Sequence, residues 1–242
     1  MKKVFSCLLL SLTCALLWAN PRLDSLLQQA QAAMDKEAYP QAVSAYQQIL
    51  TEGLGSSELY HNLGLSYLKM KCTGMAVWCF ERSLSLDHYN VAARQSLAAA
   101  QAQIIQPVQP KVQAWYCGYE GLRAMLSPGH WGVLGLVLLF SALGLFVWGR
   151  WKGRVPGFGV LVLALLALFM AWHAQQVLAH KAIVVRKLAV LRSGPSLNAN
   201  EVQVVYSGTT ASVTAVEGDW VQVRLADGLW AWLPQESIAL VL

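Results

Sequence analysis

Two uncharged apolar runs lie in the middle of the chain, at residues 131–148 and 157–172, and a short basic bend with Arg150, Lys152 and Arg154 separates them. A helix needs roughly 17–25 mostly apolar residues to cross the hydrocarbon core of a bilayer. The first run has that length, and the second has it once Val155 and Pro156 are counted. The expected centre of the molecule is a helical hairpin with spans at 131–149 and 156–173 and a bend at 150–155. The positive-inside rule keeps such a basic bend in the cytoplasm, so both flanks of the hairpin are expected in the periplasm of a bacterial inner-membrane protein. Gly135, Ala142 and Gly149 form a stripe on the first span, and Gly157, Ala164, Ala167, Ala171 and Ala174 form one on the second. Small faces let membrane helices approach closely, so packing of one span on the other is expected ahead of docking a second membrane protein.

Charge supports this reading. Only 13% of the 242 residues are charged, against about 25% in a typical soluble domain. The net charge of +5 resides in residues 1–19 (+2) and 111–156 (+4), while residues 20–110 carry −1 and residues 157–242 carry zero. A nucleic-acid surface is a basic patch on a folded domain, and neither flank carries such an excess.

Residues 1–19 have Lys2 and Lys3, then an apolar run, then Ala19, the layout of a secretory signal peptide cleaved after Ala19. A lipoprotein site at Cys14 is the rival, and an uncleaved segment would be a third membrane helix. Removal of the signal takes Cys7 and Cys14 with it, leaving Cys72, Cys79 and Cys117, an odd number. Cys72 and Cys79 fall near a helix–helix turn, where they either pair in the oxidising periplasm or pack as small apolar residues.

Residues 20–106 match themselves at an offset of 34. Leu26 falls on Tyr60, Ala30 on Gly64, Ala33 on Tyr67, Ala42 on Ala76, Tyr46 on Phe80 and Leu50 on Leu84. This pattern resembles the tetratricopeptide repeat (TPR), a helix–turn–helix unit of about 34 residues. A further helix from about Asn90 to Ile104, with Ala93, Leu97 and Ala98, looks like the terminal helix of a short solenoid. Five helices are expected in all, so the array is small and is expected to lean on the bilayer, a partner or a second copy. Solenoids of this type present a concave surface to other proteins, and its candidate lining is Gln29, Asn62 and Ser66; plain solvent exposure is the alternative.

Pro107 and Pro110 break the helical pattern, and residues 107–130 read as a linker and interfacial segment. Trp115, Tyr116 and Tyr119 suit the membrane interface. Ser127-Pro128 reads as a helix start. His130 and His173 both fall near the periplasmic ends of the spans. They are read as interfacial residues, because no further ligand cluster accompanies them, and no metal or cofactor is expected.

Residues 174–181 read as a second linker. Beyond them the period becomes alternating, with five expected strands and the hairpin signal Asp227-Gly228. Gly208-Thr209, Gly218-Asp219-Trp220 with Val223, and Asp227-Gly228 with Ala231-Trp232-Leu233-Pro234 resemble a bacterial SH3-like domain spanning residues 182–242. The resemblance places Trp220 and Pro234 at positions that line the proline-peptide groove of eukaryotic SH3 domains. The groove's tyrosine positions hold Leu191, Ser193 and Ser237 here. Trp230 and Trp232 alternate onto one face, beside Trp220, as a candidate partner-binding patch; resting on the membrane or filling the barrel are the alternatives.

The expected fold class is a multidomain membrane protein: an all-α TPR solenoid, a transmembrane hairpin and a small all-β SH3-like barrel. That order is similar to the TPR and SH3 membrane proteins of the bacterial Bat aerotolerance operon. The resemblance implies periplasmic domains working beside von Willebrand factor A-domain proteins and a MoxR-type ATPase, in envelope integrity or oxidative stress, with no established chemistry. The first expectation is a non-enzymatic scaffold; the second is a peptidoglycan binder or envelope sensor. An enzyme ranks third, since no nucleophile–base motif, phosphate loop or paired carboxylates stand out.

Overall fold

The computed structural model describes residues 21–104, 119, 122, 125–151 and 158–241. The expected signal segment, the linker prolines, Trp115, Tyr116, Cys117, Lys152, Arg154 and Gly157 lie outside these residues.

The first region is five helices: α1 (Pro21–Asp35), α2 (Tyr39–Thr51), α3 (Ser57–Lys69), α4 (Thr73–Leu86) and α5 (Val91–Gln101). Local chemistry sets their starts. The Ser56 hydroxyl accepts from Leu59 N at 3.1 Å, and the Asn90 side chain accepts from Ala93 N at 2.9 Å, so α3 and α5 are capped in the usual way. Pro40 occupies the first turn of α2.

The 34-residue offset recurs in the backbone. Glu37 (φ +56°) and Lys71 (φ +60°) are the two non-glycine residues with positive φ among those described, and each turns one helix into the next. Ala38 N bonds Ala33 O at 2.8 Å, and Cys72 N bonds Tyr67 O at 2.9 Å. These bonds satisfy the carbonyls left open at a helix end. Leu26, Ala30, Ala33, Ala42, Tyr46, Tyr67, Ala76 and Phe80 share one buried core. Gly64 is required there: a Cβ would lie 2.6 Å from Phe80 Cε1. Both cysteines in this region are free thiols. Cys79 is wholly buried, and burial pushes its thiol well up, away from the reactive thiolate.

Two longer helices follow, α6 (Pro128–Trp151) and α7 (Phe158–Ala179). Residues Pro128–Val147 and Val160–Val177 are long and apolar enough to cross a membrane. The helix starts at Ser127-Pro128 as the sequence suggested, with Ser127 O accepting from Trp131 N at 3.1 Å. Ala142, Gly149, Ala164, Ala167 and Ala174 are buried between the two helices. A Cβ on Gly135 would fall 2.8 Å from Leu168 Cγ, so the backbones approach closely there. Val137, Phe140, Leu143, Leu163, Leu165 and Phe169 point outward and are more than half exposed.

Two boundaries differ from expectation. α6 runs on through Arg150 into the expected bend. Residues 174–181 are not a linker: α7 continues to Ala179, and only His180 separates it from the first strand. The stretch Ala174-Gln175-Gln176-Val177-Leu178-Ala179 has no glycine or proline to stop a helix.

The last region is one antiparallel sheet: β1 (Lys181–Val184), β2 (Leu188–Arg192), β3 (Glu201–Tyr206), β4 (Thr210–Glu217), β5 (Trp220–Leu225), β6 (Trp230–Pro234) and β7 (Ile238–Leu240), with a 3₁₀ turn at Gln235–Ser237. It has seven strands, not five, in the order β3-β2-β6-β5-β4-β1-β7. Val184, Ala189, Leu191, Val205, Ala211, Val221, Val223, Leu225, Ala231 and Leu233 form its single apolar interior.

This sheet docks on α4. Ile183 and Val241 belong to the core of the helical region, not to the interior of their own sheet. Trp78 Nε1 donates to Leu240 O at 2.6 Å, Arg82 Nη1 to Val241 O at 2.8 Å, and Gly74 N to Ser207 Oγ at 2.8 Å. Lys181 Nζ pairs with Glu81 Oε1 at 2.6 Å; the carboxylate side chain is 9% exposed. The small array therefore leans on a domain of its own chain.

Candidate functional site

The site is the outward face of the β5–β6 hairpin. Asp227-Gly228 makes the turn: Gly228 has φ +88°, and the Asp227 carboxylate accepts from Leu229 N at 3.0 Å. Only glycine adopts that conformation without strain. The hairpin register then pairs Arg224 with Trp230, Gln222 with Trp232 and Trp220 with Pro234. Side chains alternate along a strand, so these six share one face while Val221, Val223, Ala231 and Leu233 fill the interior.

Trp230 is 52% exposed, and Trp220, Trp232 and Pro234 are half-buried. The Arg224 guanidinium lies over the Trp230 ring at 5.5 Å, a cation–π contact that fixes the indole outward. Thr214 Oγ1 bonds Gln222 Oε1 at 3.1 Å. Arg192, paired with Trp232 across β2–β6, holds the carbonyl oxygens of Leu197 and Ala199 at 2.7 and 2.9 Å and Glu201 Oε1 at 3.2 Å. The result is an aromatic face whose neighbouring Arg224, Gln222 and Arg192 side chains each have a partner. Rigid indoles beside arginine suit the binding of another macromolecule at low entropic cost.

Around the end of this hairpin lies a groove of about 780 Å³ lined by Val213, Val216, Val221, Ile238 and Leu240, with Asp219 and Glu236 at its rim. Pro234 lines it too, so it adjoins the aromatic face. Its residues come from strands distant in sequence, and of them the sequence singles out Pro234 as a groove residue.

The candidate residues of the helical region do not assemble. Gln29 is exposed and Asn62 half-buried. Ser66 is corrected: it is fully buried, and its hydroxyl donates to Asn62 O and to Met34 Sδ at 2.9 Å each. Met34, in the last turn of α1, packs against it across the helix pair, so Ser66 offers a partner nothing. Of the positions that hold Leu191, Ser193 and Ser237 in place of groove tyrosines, Leu191 and Ser237 are buried and Ser193 is exposed.

The two interfacial histidines have neighbours of their own. His130 Nδ1 meets Ser127 Oγ at 2.5 Å, and His173 Nδ1 meets the Tyr119 hydroxyl at 2.8 Å. Among the described residues no three His, Cys, Asp or Glu side chains group as a metal site.

Residues 188–239 match the bacterial SH3 domain. Trp220, Trp230, Trp232 and Pro234 all fall inside that match. β1 precedes it and Leu240 and Val241 follow it, so several of the groups that dock on α4 lie beyond the matched segment. Compared with curated proteins, the chain matches none.

Proposed function

We propose that the chain is a non-enzymatic, membrane-anchored scaffold of the bacterial inner membrane. In this reading it presents a TPR-type array and its SH3 domain together in the periplasm to assemble other proteins. The observation that carries it is the uncovered aromatic face of the SH3 domain, with Trp230 held outward by Arg224. The anchor rests on two long apolar helices whose outer faces are aliphatic and aromatic, a surface that water does not favour. The Glu81–Lys181 pair joins the chain before the hairpin to the chain after it. That contact supports placing both flanks on one side of the bilayer, and the basic bend favours the periplasm as that side.

The 34-residue backbone equivalence supports a TPR identity for the helices. With the hairpin and the SH3 domain, it supports a place in a Bat-type envelope or stress-tolerance complex, beside von Willebrand factor A-domain proteins and a MoxR-type ATPase. Crosslinking of the full chain in intact cells, followed by mass spectrometry, tests this. Specific membrane or periplasmic partners lost in a Trp220→Ala/Trp230→Ala variant are expected, and recovery of the same proteins from that variant contradicts it.

A second reading, peptidoglycan binding, draws on the SH3 match itself. Flat indoles can also stack on a sugar–peptide polymer. Sedimentation of the solubilised full chain with purified peptidoglycan separates the two, since a scaffold stays in the supernatant.

A further inference from the structure

A second cavity, of about 780 Å³, lies where three parts of the chain meet. The end of α4 supplies Leu84 and Leu86, the turn before α5 supplies Asp87, and the first turn of α5 supplies Arg94. The start of α6 supplies Pro128 and Gly129, the end of α7 supplies Ala174 and Val177, and the sheet supplies Lys181. Its apolar lining includes Leu84, Leu126, Pro128 and Val177, and its polar lining comes both from the soluble domains and from Ser127, His130 and Gln175 at the helix ends. The cavity therefore opens where two candidate membrane spans end.

Both signs of charge line it, Arg94 and Lys181 against Glu81 and Asp87. Glu81 is paired with Lys181 at 2.6 Å, and Asp87 Oδ1 accepts from Tyr89 N at 3.0 Å. Arg94 sends Nη2 to His88 O at 2.6 Å, and the rest of its exposed guanidinium faces solvent with donors to spare. A guanidinium is well matched to a phosphate. A wall with equal numbers of cations and carboxylates suits a headgroup of zero net charge over one that would leave charge unmatched. The acceptors beside it favour a primary ammonium, which donates hydrogen bonds, over a quaternary one.

We propose that this cavity holds the headgroup of a zwitterionic phospholipid with a primary amine: phosphodiester on Arg94, ammonium toward Asp87, and the first acyl carbons along Pro128 and Val177. Such a lipid would bind the soluble domains to the hairpin and fix their height above the bilayer. The inference rests on the membrane reading given above.

The test uses the full chain reconstituted in nanodiscs, then extracted and examined by native mass spectrometry after addition of phosphatidylethanolamine, phosphatidylcholine or phosphatidylglycerol. One phosphatidylethanolamine per chain is the expected result, retained at least tenfold better than the other two lipids. Arg94→Gln removes the phosphate partner. Gly129→Phe fills the cavity, because a Cβ at Gly129 meets nothing within 4 Å. Each variant is expected to lower retention about tenfold while the circular dichroism spectrum is unchanged. Equal retention of all three lipids, or undiminished retention in Gly129→Phe, overturns the site. Competition by soluble glycerophosphoethanolamine as strong as by the lipid overturns the lipid as occupant. A chain that never enters the nanodisc instead contradicts the membrane reading, and the inference falls with it.

Discussion

The two sides of the C-terminal sheet make opposite use of similar chemistry. The α4 side takes Trp78, Arg82 and Glu81 into contacts with β1, Leu240 and Val241, and among the described residues every buried side-chain N or O atom has a partner. The β5–β6 side carries Trp230 and Arg224 exposed and Trp220 and Trp232 half-buried. Tryptophan and arginine suit an interface in both places. On one side the partner is the chain itself, and on the other the proposed partner is a second protein. Exposure alone separates a structural contact from a binding surface here.

Substitutions should therefore divide by side. The largest effect is expected at Ile183, fully buried between the sheet and the helices. Ile183→Ala should cost about 2–4 kcal/mol, and helical circular dichroism and tryptophan fluorescence should be lost in one shared transition. Two separate transitions would mean the regions do not fold as a unit.

Lys181→Ala comes next. It leaves the buried Glu81 carboxylate without its cation, at a cost of roughly 2–3 kcal/mol once the partial exposure of Lys181 is allowed for. A Glu81→Leu/Lys181→Met variant should recover most of that in a thermal melt, because an apolar pair leaves no charge unpaired.

On the open side, Trp230→Ala should weaken partner capture about tenfold, as for an aromatic hot spot. Stability should stay within about 0.5 kcal/mol. An equal loss of stability would show that the indole belongs to the fold. Trp78→Phe, on the docked side, removes the bond to Leu240 O but keeps a ring, and should cost about 1 kcal/mol.

The smallest effect belongs to neither side. Burial lowers the pKa of His61, which meets Ser96 Oγ at 3.1 Å inside the helical region. The unfolded chain therefore takes the proton first. Its contribution is complete above the ordinary histidine value of 6.5 and is lost as pH falls through the folded pKa. His61→Gln should flatten that part of the pH–stability curve.

The same contrast explains what could be read in advance. The helix pairs were legible because small and aromatic residues recur at a fixed spacing, and burial of Ala42, Tyr46, Ala76 and Phe80 follows from one face. The β5–β6 face was legible because alternation around Asp227-Gly228 fixes which side chains stand together. β2 and β3 were missed as separate strands: Leu188-Ala189-Val190-Leu191 is apolar throughout with one β-branched residue, and the alternation of Glu201-Val202-Gln203-Val204 breaks at Val205. Ser66 was misplaced because α1 packs against α3 and brings Met34 onto its hydroxyl, a contact between residues 32 positions apart. The docking on α4 joins residues about 160 positions apart, such as Trp78 and Leu240. Its one local sign was an acid, Glu81, set among apolar residues on a buried helix face.

The central claim is that the helical region and the SH3 domain are docked through Glu81 and Lys181. Zero-length carbodiimide crosslinking of the full chain in membranes reads it directly, because that reagent joins a carboxylate only to an amine already touching it. An isopeptide bond between Glu81 and Lys181 is the expected product; Lys181 linked only to other carboxylates, with Glu81 unjoined, would contradict the account.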